Sequence, residues 1–189
     1  MRIVHVNFSD KYGGAAIALK RLHNFLLKKG IDSKIVVSER NDVDQNILSI
    51  NRTSEKIKNL VKSTLSRQLK YIFKSNNKNT HSVNMISSKN IDLINSLKPD
   101  FVNLHWLGNE TISISDISKI KCKVIWTLHD MWPFCGAEHY TDDLRYVEGY
   151  TNKNRPKNET GFDLNKFVWN KKIKHYKKID KIICTSKWM

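Results

Sequence analysis

The chain has little with which to build a disulfide scaffold, a membrane span or a metal cluster. Its three cysteines, Cys122, Cys135 and Cys184, are odd in number and form no C-x-x-C pair, which fits reduced thiols rather than a disulfide framework. No apolar run reaches the roughly 18 residues of a membrane span. The stretch "MRIVHVNFSD" has neither an apolar core of about 7–15 residues nor a small-residue cleavage site. A cytosolic protein is therefore expected, with any membrane contact peripheral. H-E-x-x-H, zinc-type Cys/His spacing and a Ser/His/Asp order are all missing, so metal and nucleophilic catalysis are disfavoured and no metal or cofactor is expected. G-x-G-x-x-G and the P-loop are missing too. Without RRM, KH or helix-turn-helix signatures, nucleic-acid binding would rest on charge alone, and no nucleic-acid partner is expected.

Acidic residues are few, 18 Asp and Glu against 33 Lys and Arg, and the resulting charge of +15 is spread along the chain. A field of that sign favours polyanions, among them an anionic membrane surface and phosphorylated small molecules. A Lys- and Asn-rich composition produces the same excess without any partner. What is present in quantity is core material: 40% hydrophobic residues with five Trp, six Tyr and seven Phe, in a chain of 189 residues. That supports a single packed domain over residues 1–189, with a polar surface at a mean hydropathy of -0.51.

Hydrophobic periodicity alternates between strand and helix. "RIVHVNF" (2–8) reads as a buried strand, "SDKYGG" (9–14) as a turn, and 15–30 as a helix with Ile17, Leu19, Leu22, Phe25, Leu26 and Leu27 on one broad face. "DSKIVVS" (32–38) is a second strand, completing a βαβ unit and implying a parallel sheet. Further on, a helix over 88–97, a strand over 101–106, a short helix over 112–120 and a strand over 122–128 repeat the theme. A helix over 163–179 carrying Leu164, Phe167, Val168, Ile173 and Tyr176, then a strand over 181–186, close it. The expected fold is α/β, Rossmann-like, with helices flanking a parallel sheet. Two segments stand apart. Residues 55–74 form a basic amphipathic stripe, read either as a helix packed on the sheet or as a membrane-facing one. Residues 142–158 are polar and read as a long loop.

In an open parallel sheet, ligands sit beyond the carboxyl ends of the strands, so polar residues there are the candidates. Gly13 and Gly14 open the first helix, where bare backbone attracts phosphate, or they simply make a turn. His129 and Asp130 follow the apolar run "VIWTL", placing an imidazole and a carboxylate at a strand end; the alternative is that His129 only caps the strand. His105 and Trp106 end the preceding strand in the same way. Trp132 offers a wall for a sugar face or core packing. Glu138, His139 and Tyr140 lie further along the same loop.

"MRIVHVNFSDKYGGAAIALKRLHNFLLKKGIDSKIVV", "PDFVNLHWLGN", "VIWTLHDMWPFCGAEHY" and "KIDKIICTSKWM" together resemble the N-terminal half of family 4 glycosyltransferases, especially those building bacterial surface polysaccharides. The resemblance implies the N-terminal, acceptor-side domain of a retaining GT-B enzyme. Such an enzyme moves a sugar from a nucleotide-sugar donor to a polysaccharide or lipid-linked acceptor without a metal. It implies that Gly13 and Gly14 lie near the donor diphosphate and that His129 contacts the transferred sugar, with Asp130 in the same motif. The acceptor cleft would then draw on His105, Trp106, Trp132, Glu138, His139 and Tyr140. Relatives often continue the H-D-M-W-P-F run with Gly-Gly-Cys-His-Tyr and further cysteines, whereas this chain has "CGAEHY" and no Cys in "YVEGYTNKNRP". The family also carries a C-terminal donor-binding domain absent from these 189 residues, so little turnover is expected of them without that domain or a partner chain. A non-catalytic acceptor- or membrane-binding module is the alternative.

Overall fold

The computed structural model describes residues 1–50, 64, 73–74 and 77–187. In chain order the elements are β1 (Arg2–Ser9), α1 (Gly14–Lys28), β2 (Asp32–Glu39), β3 (Ile47–Leu48), β4 (Phe73–Lys74), α2 (Asn90–Ser96) and β5 (Phe101–Leu104). There follow α3 (Ile114–Ile117), β6 (Lys123–Leu128), α4 (Arg145–Glu148), β7 (Thr160–Gly161), α5 (Leu164–His175) and β8 (Ile179–Cys184). Six strands form one sheet in the order β3-β2-β1-β5-β6-β8, every neighbouring pair parallel. The fold is thus α/β and Rossmann-like. Strand order runs outward from β1 to β3, then restarts on the other side of β1 with β5, so the switch point lies between β1 and β5.

Strand alternation sends side chains to two faces. Val4 and Val6 of β1, Val102 and Leu104 of β5, and Val124, Trp126 and Leu128 of β6 join Ile91 and Ile94 of α2, Ile114 and Ile117 of α3, and Leu164 and Val168 of α5 in the main core. A smaller core of Leu19, Ile35, Val37 and Ile47 lies under α1 on the opposite face. The alternate positions of β1, β5 and β6 include His5, Asn103 and Thr127. Thr127 Oγ1 donates to Asn103 Oδ1 there, at 3.0 Å.

The structure corrects several details. Only Ala16, Leu19 and His23 of α1 are fully buried, while Ile17, Leu22, Phe25 and Leu27 are exposed. The helix rests mainly on β1 and β2, and that narrow footprint covers one stripe of its broad apolar face. The helix expected over 112–120 shrinks to one turn, fixed by reciprocal capping between Ser113 and Asp116. In α5, Phe167 and Ile173 are exposed and Lys172 is buried. The polar segment 142–158 contains α4, whose Arg145 is buried against Asp163 at 2.6 Å and over the Tyr150 ring. The expected basic helix over 55–74 lies outside the described residues save 64 and 73–74, and the latter two pair with β7 as strand, so no helix runs to 74.

Candidate functional site

A cleft of about 580 Å³ opens at the carboxyl ends of β1, β5 and β6, at the switch point. Asn7, Phe8 and Ser9 from the end of β1 line it, with Tyr12, Gly13, Gly14 and Ala15 from the loop and start of α1. Trp106 and Asn109 after β5, His129 and Asp130 after β6, and Thr80, His139 and Tyr140 complete it.

One wall is backbone. Gly13 caps α1 at φ 90° and ψ 160°, a conformation closed to residues with a Cβ, with no side-chain cap and no acidic residue in the first turn. The helix-start N–H groups that α1 leaves without intrahelical acceptors border the cleft, carrying the positive end of the helix dipole. A Cβ at Gly14 would meet nothing within 4 Å, so packing does not demand glycine there.

The facing wall is made of side chains held by one another. Asp130 Oδ2 accepts from Trp106 Nε1 at 2.6 Å and lies 2.5 Å from His139 Nδ1, while Oδ1 accepts from the Trp132 backbone N–H at 3.0 Å. His139 Nε2 reaches Ser82 Oγ at 2.8 Å, and Trp132 Nε1 donates to the Ser82 carbonyl at 2.8 Å. The rings of Trp106 and Trp132 flank His139, with centroids at 5.1 and 6.0 Å. Trp106 is pinned again by its backbone N–H, which donates to Asn7 Oδ1 at 2.9 Å. Beneath the loop, the Lys172 ammonium donates to the carbonyls of Trp132, Cys135 and Gly136 and lies 3.9 Å from the Trp132 ring centroid. Burial lowers Lys172 to about 7 and raises Glu138.

His129 is half-buried, and its Nε2 lies 3.0 Å from Nδ1 of His105. Burial holds it below the ordinary imidazole range, so near neutral pH it meets a ligand as a neutral ring.

Of the residues singled out from sequence, Gly13, Gly14, Trp106, His129, Asp130, His139 and Tyr140 converge on the cleft. Three do not line it. His105 lies behind His129, Trp132 is in the main core, and Glu138 points to the Tyr150 hydroxyl at 2.7 Å under the loop. His105 follows its strand as expected but is buried behind His129, while Trp132 and Glu138 lie on the loop after β6 and are turned inward through the turn at Trp132–Phe134. Asn7, Ser82 and His5 were not singled out. His5 left one signal, a titratable residue inside an apolar strand, while Ser82 sits in a stretch without periodicity.

Among the described residues no group of three or more His, Cys, Asp or Glu could hold a metal ion, and no helix is long and apolar enough to cross a membrane. Fold and site together define the class: a Rossmann-like α/β protein with an open crevice at its topological switch point, glycine backbone on one side and a His/Asp/Trp network on the other. No protein-family model, curated protein or solved structure matches the chain.

Proposed function

We propose that this chain supplies the acceptor-side half of a retaining glycosyltransferase site, using a nucleotide-sugar donor and a polysaccharide or lipid-linked acceptor. The observation that carries the reading is the meeting of the α1 N-terminus and His129 across one cleft at the switch point. Sugar transfer breaks the bond from the anomeric carbon to the diphosphate and forms one to an acceptor hydroxyl, whose proton must leave. Charge therefore builds on the departing diphosphate, and uncompensated N–H groups at a helix start stabilise such charge without reorganising. His129, neutral and held from behind, suits a hydrogen bond to a sugar hydroxyl, which orients the reacting carbon. Trp106 and Tyr140 give apolar surface for a sugar ring. The net charge of +15 favours the anionic donor and an anionic membrane surface on which a lipid-linked acceptor would lie.

The experiment is a titration with inorganic pyrophosphate, the part shared by nucleotide-sugar donors, followed by amide NMR. The expected outcome is saturable shifts at Gly13, Gly14, Ala15 and His129. Shifts scattered over surface lysines and absent from the cleft would remove the reading.

A further inference from the structure

Three imidazoles from three adjacent strands lie in sequence, His5 within β1 and His105 and His129 just past the ends of β5 and β6. His5 on β1 has Nδ1 at 3.2 Å from Nε2 of His105, which follows β5, and His105 Nδ1 lies 3.0 Å from Nε2 of His129, which follows β6. The rings of His105 and His129 stack with centroids 5.2 Å apart. His5 and His105 are buried, and only His129 lines the cleft. At the inner end, His5 Nε2 is buried with no hydrogen-bond partner. At the outer end, His129 Nδ1 has no partner among the described residues.

Burial lowers all three, His5 to about 4, so at neutral pH each ring carries one proton. Two bonds among three neutral rings admit only two arrangements, because a proton on one nitrogen of His105 settles which way both bonds point. In one, His129 Nε2–H donates inward, His105 Nε2–H donates to His5, and the orphan at the inner end is an N–H. In the other, His5 Nδ1–H donates to His105, His105 Nδ1–H donates to His129, and the orphan is a bare ring nitrogen. Among main-chain groups a buried N–H without an acceptor is rarer than an under-satisfied acceptor, and we extend the same preference to the ring nitrogen of His5. The second arrangement is favoured, and it leaves the proton of His129 on Nδ1.

We propose that His5 and His105 are positioning residues that lock His129 in its Nδ1–H tautomer, making it a fixed N–H donor to a phosphate or hydroxyl oxygen in the cleft. The ligand's chemistry rests on the glycosyltransferase reading, but the tautomer does not. An isolated imidazole side chain in water prefers the Nε2–H form, so the lock works against an intrinsic preference and can be seen directly. His105 also sits where Trp126 Nε1 donates to its carbonyl at 3.0 Å, which holds the middle of the line whatever its side chain does.

The test is long-range ¹H–¹⁵N NMR of the ¹⁵N-histidine-labelled protein at pH 7.5, which distinguishes a protonated from a bare ring nitrogen without any substitution. The expected result is a protonated Nδ1 and a bare Nε2 at His129. A protonated Nε2 overturns the proposal. His105→Asn, which keeps an N–H near the Nδ1 position, should retain the tautomer. His105→Leu should return His129 to the Nε2–H form, and an unchanged tautomer in a folded His105→Leu protein also overturns the lock. Inorganic pyrophosphate separates the two readings: about tenfold weaker binding in His105→Leu with recovery in His105→Asn supports the lock. Wild-type protein that shows the Nδ1–H tautomer yet binds no pyrophosphate removes the functional reading and leaves the lock standing.

Discussion

The two walls of the cleft are built on opposite principles. The glycine wall presents main chain: a Cβ at Gly13 or Gly14 would meet nothing within 4 Å, the helix start has no side-chain cap, and Tyr12 beside it is exposed. The wall across from it is a mesh in which Asp130 takes hydrogen bonds from Trp106, His139 and Trp132, and Lys172 clamps three carbonyls from below. A backbone wall accommodates whatever anion approaches; a meshed wall holds a few side chains in one geometry. On the glycosyltransferase reading proposed above, the first would suit recognition of a diphosphate common to many donors and the second the orientation of one reacting sugar.

The sharpest way to break the contrast is Asp130→Ala. It leaves the buried His139 ring and Trp132 backbone N–H, and the half-buried Trp106 indole N–H, without their acceptor, and the expected loss is about 3–5 kcal/mol of stability in urea denaturation. A loss under about 1 kcal/mol would mean that Lys172 alone holds the loop.

Acid should act next, on the buried histidines behind the cleft. His5 is held at about 4 in the folded protein against 6.5 ordinarily, so the unfolded chain binds the proton first. Its contribution is complete above pH 6.5 and drains away as pH falls towards 4, on the order of 3 kcal/mol for this residue. His105 and His129 act in the same direction, and Glu138, raised by burial, offsets part of the loss. The depressed carboxylates Asp32 and Asp116 act lower, below their ordinary 3.8. Chemical denaturation from pH 8 to 4 should show the decline, and His5→Leu should flatten it; a slope indifferent to His5 would sink this assignment.

The glycine wall yields the smallest stability effects. Gly13→Ala must force a Cβ into φ 90°, at a cost of about 1–3 kcal/mol. Gly14→Ala should change stability by less than about 0.5 kcal/mol, because its Cβ enters open space. That open space is where an anion would sit, so Gly14→Ala should weaken pyrophosphate binding several-fold while thermal melting stays put. Unchanged binding would return Gly14 to the role of a plain turn residue.

Much of this is legible in the sequence. Apolar runs such as "RIVHV" and "VIWTL" became β1 and β6, and their strand-end residues met because parallel strands deliver all their carboxyl ends to one edge. Less legible were amphipathic details. The apolar face of α1 is wider than the surface it covers, so periodicity overstated its burial at Ile17 and Phe25. Lys172 reads as a surface residue of a basic helix, and only the inward-turned carbonyls of the loop after β6 make its burial tolerable.

By itself the sequence determined the main alternation of strands and helices, the parallel sheet and most of the residues at its working edge, since these follow from local periodicity and from the impossibility of joining parallel strands by tight turns. Tertiary structure alone decided which polar groups became partners. His5 and His105 are 100 residues apart, and His105 and His129 are 24 apart. Their alignment depends on strand order and register, which no single segment encodes, because a one-residue slip of any strand would turn its imidazole to the other face.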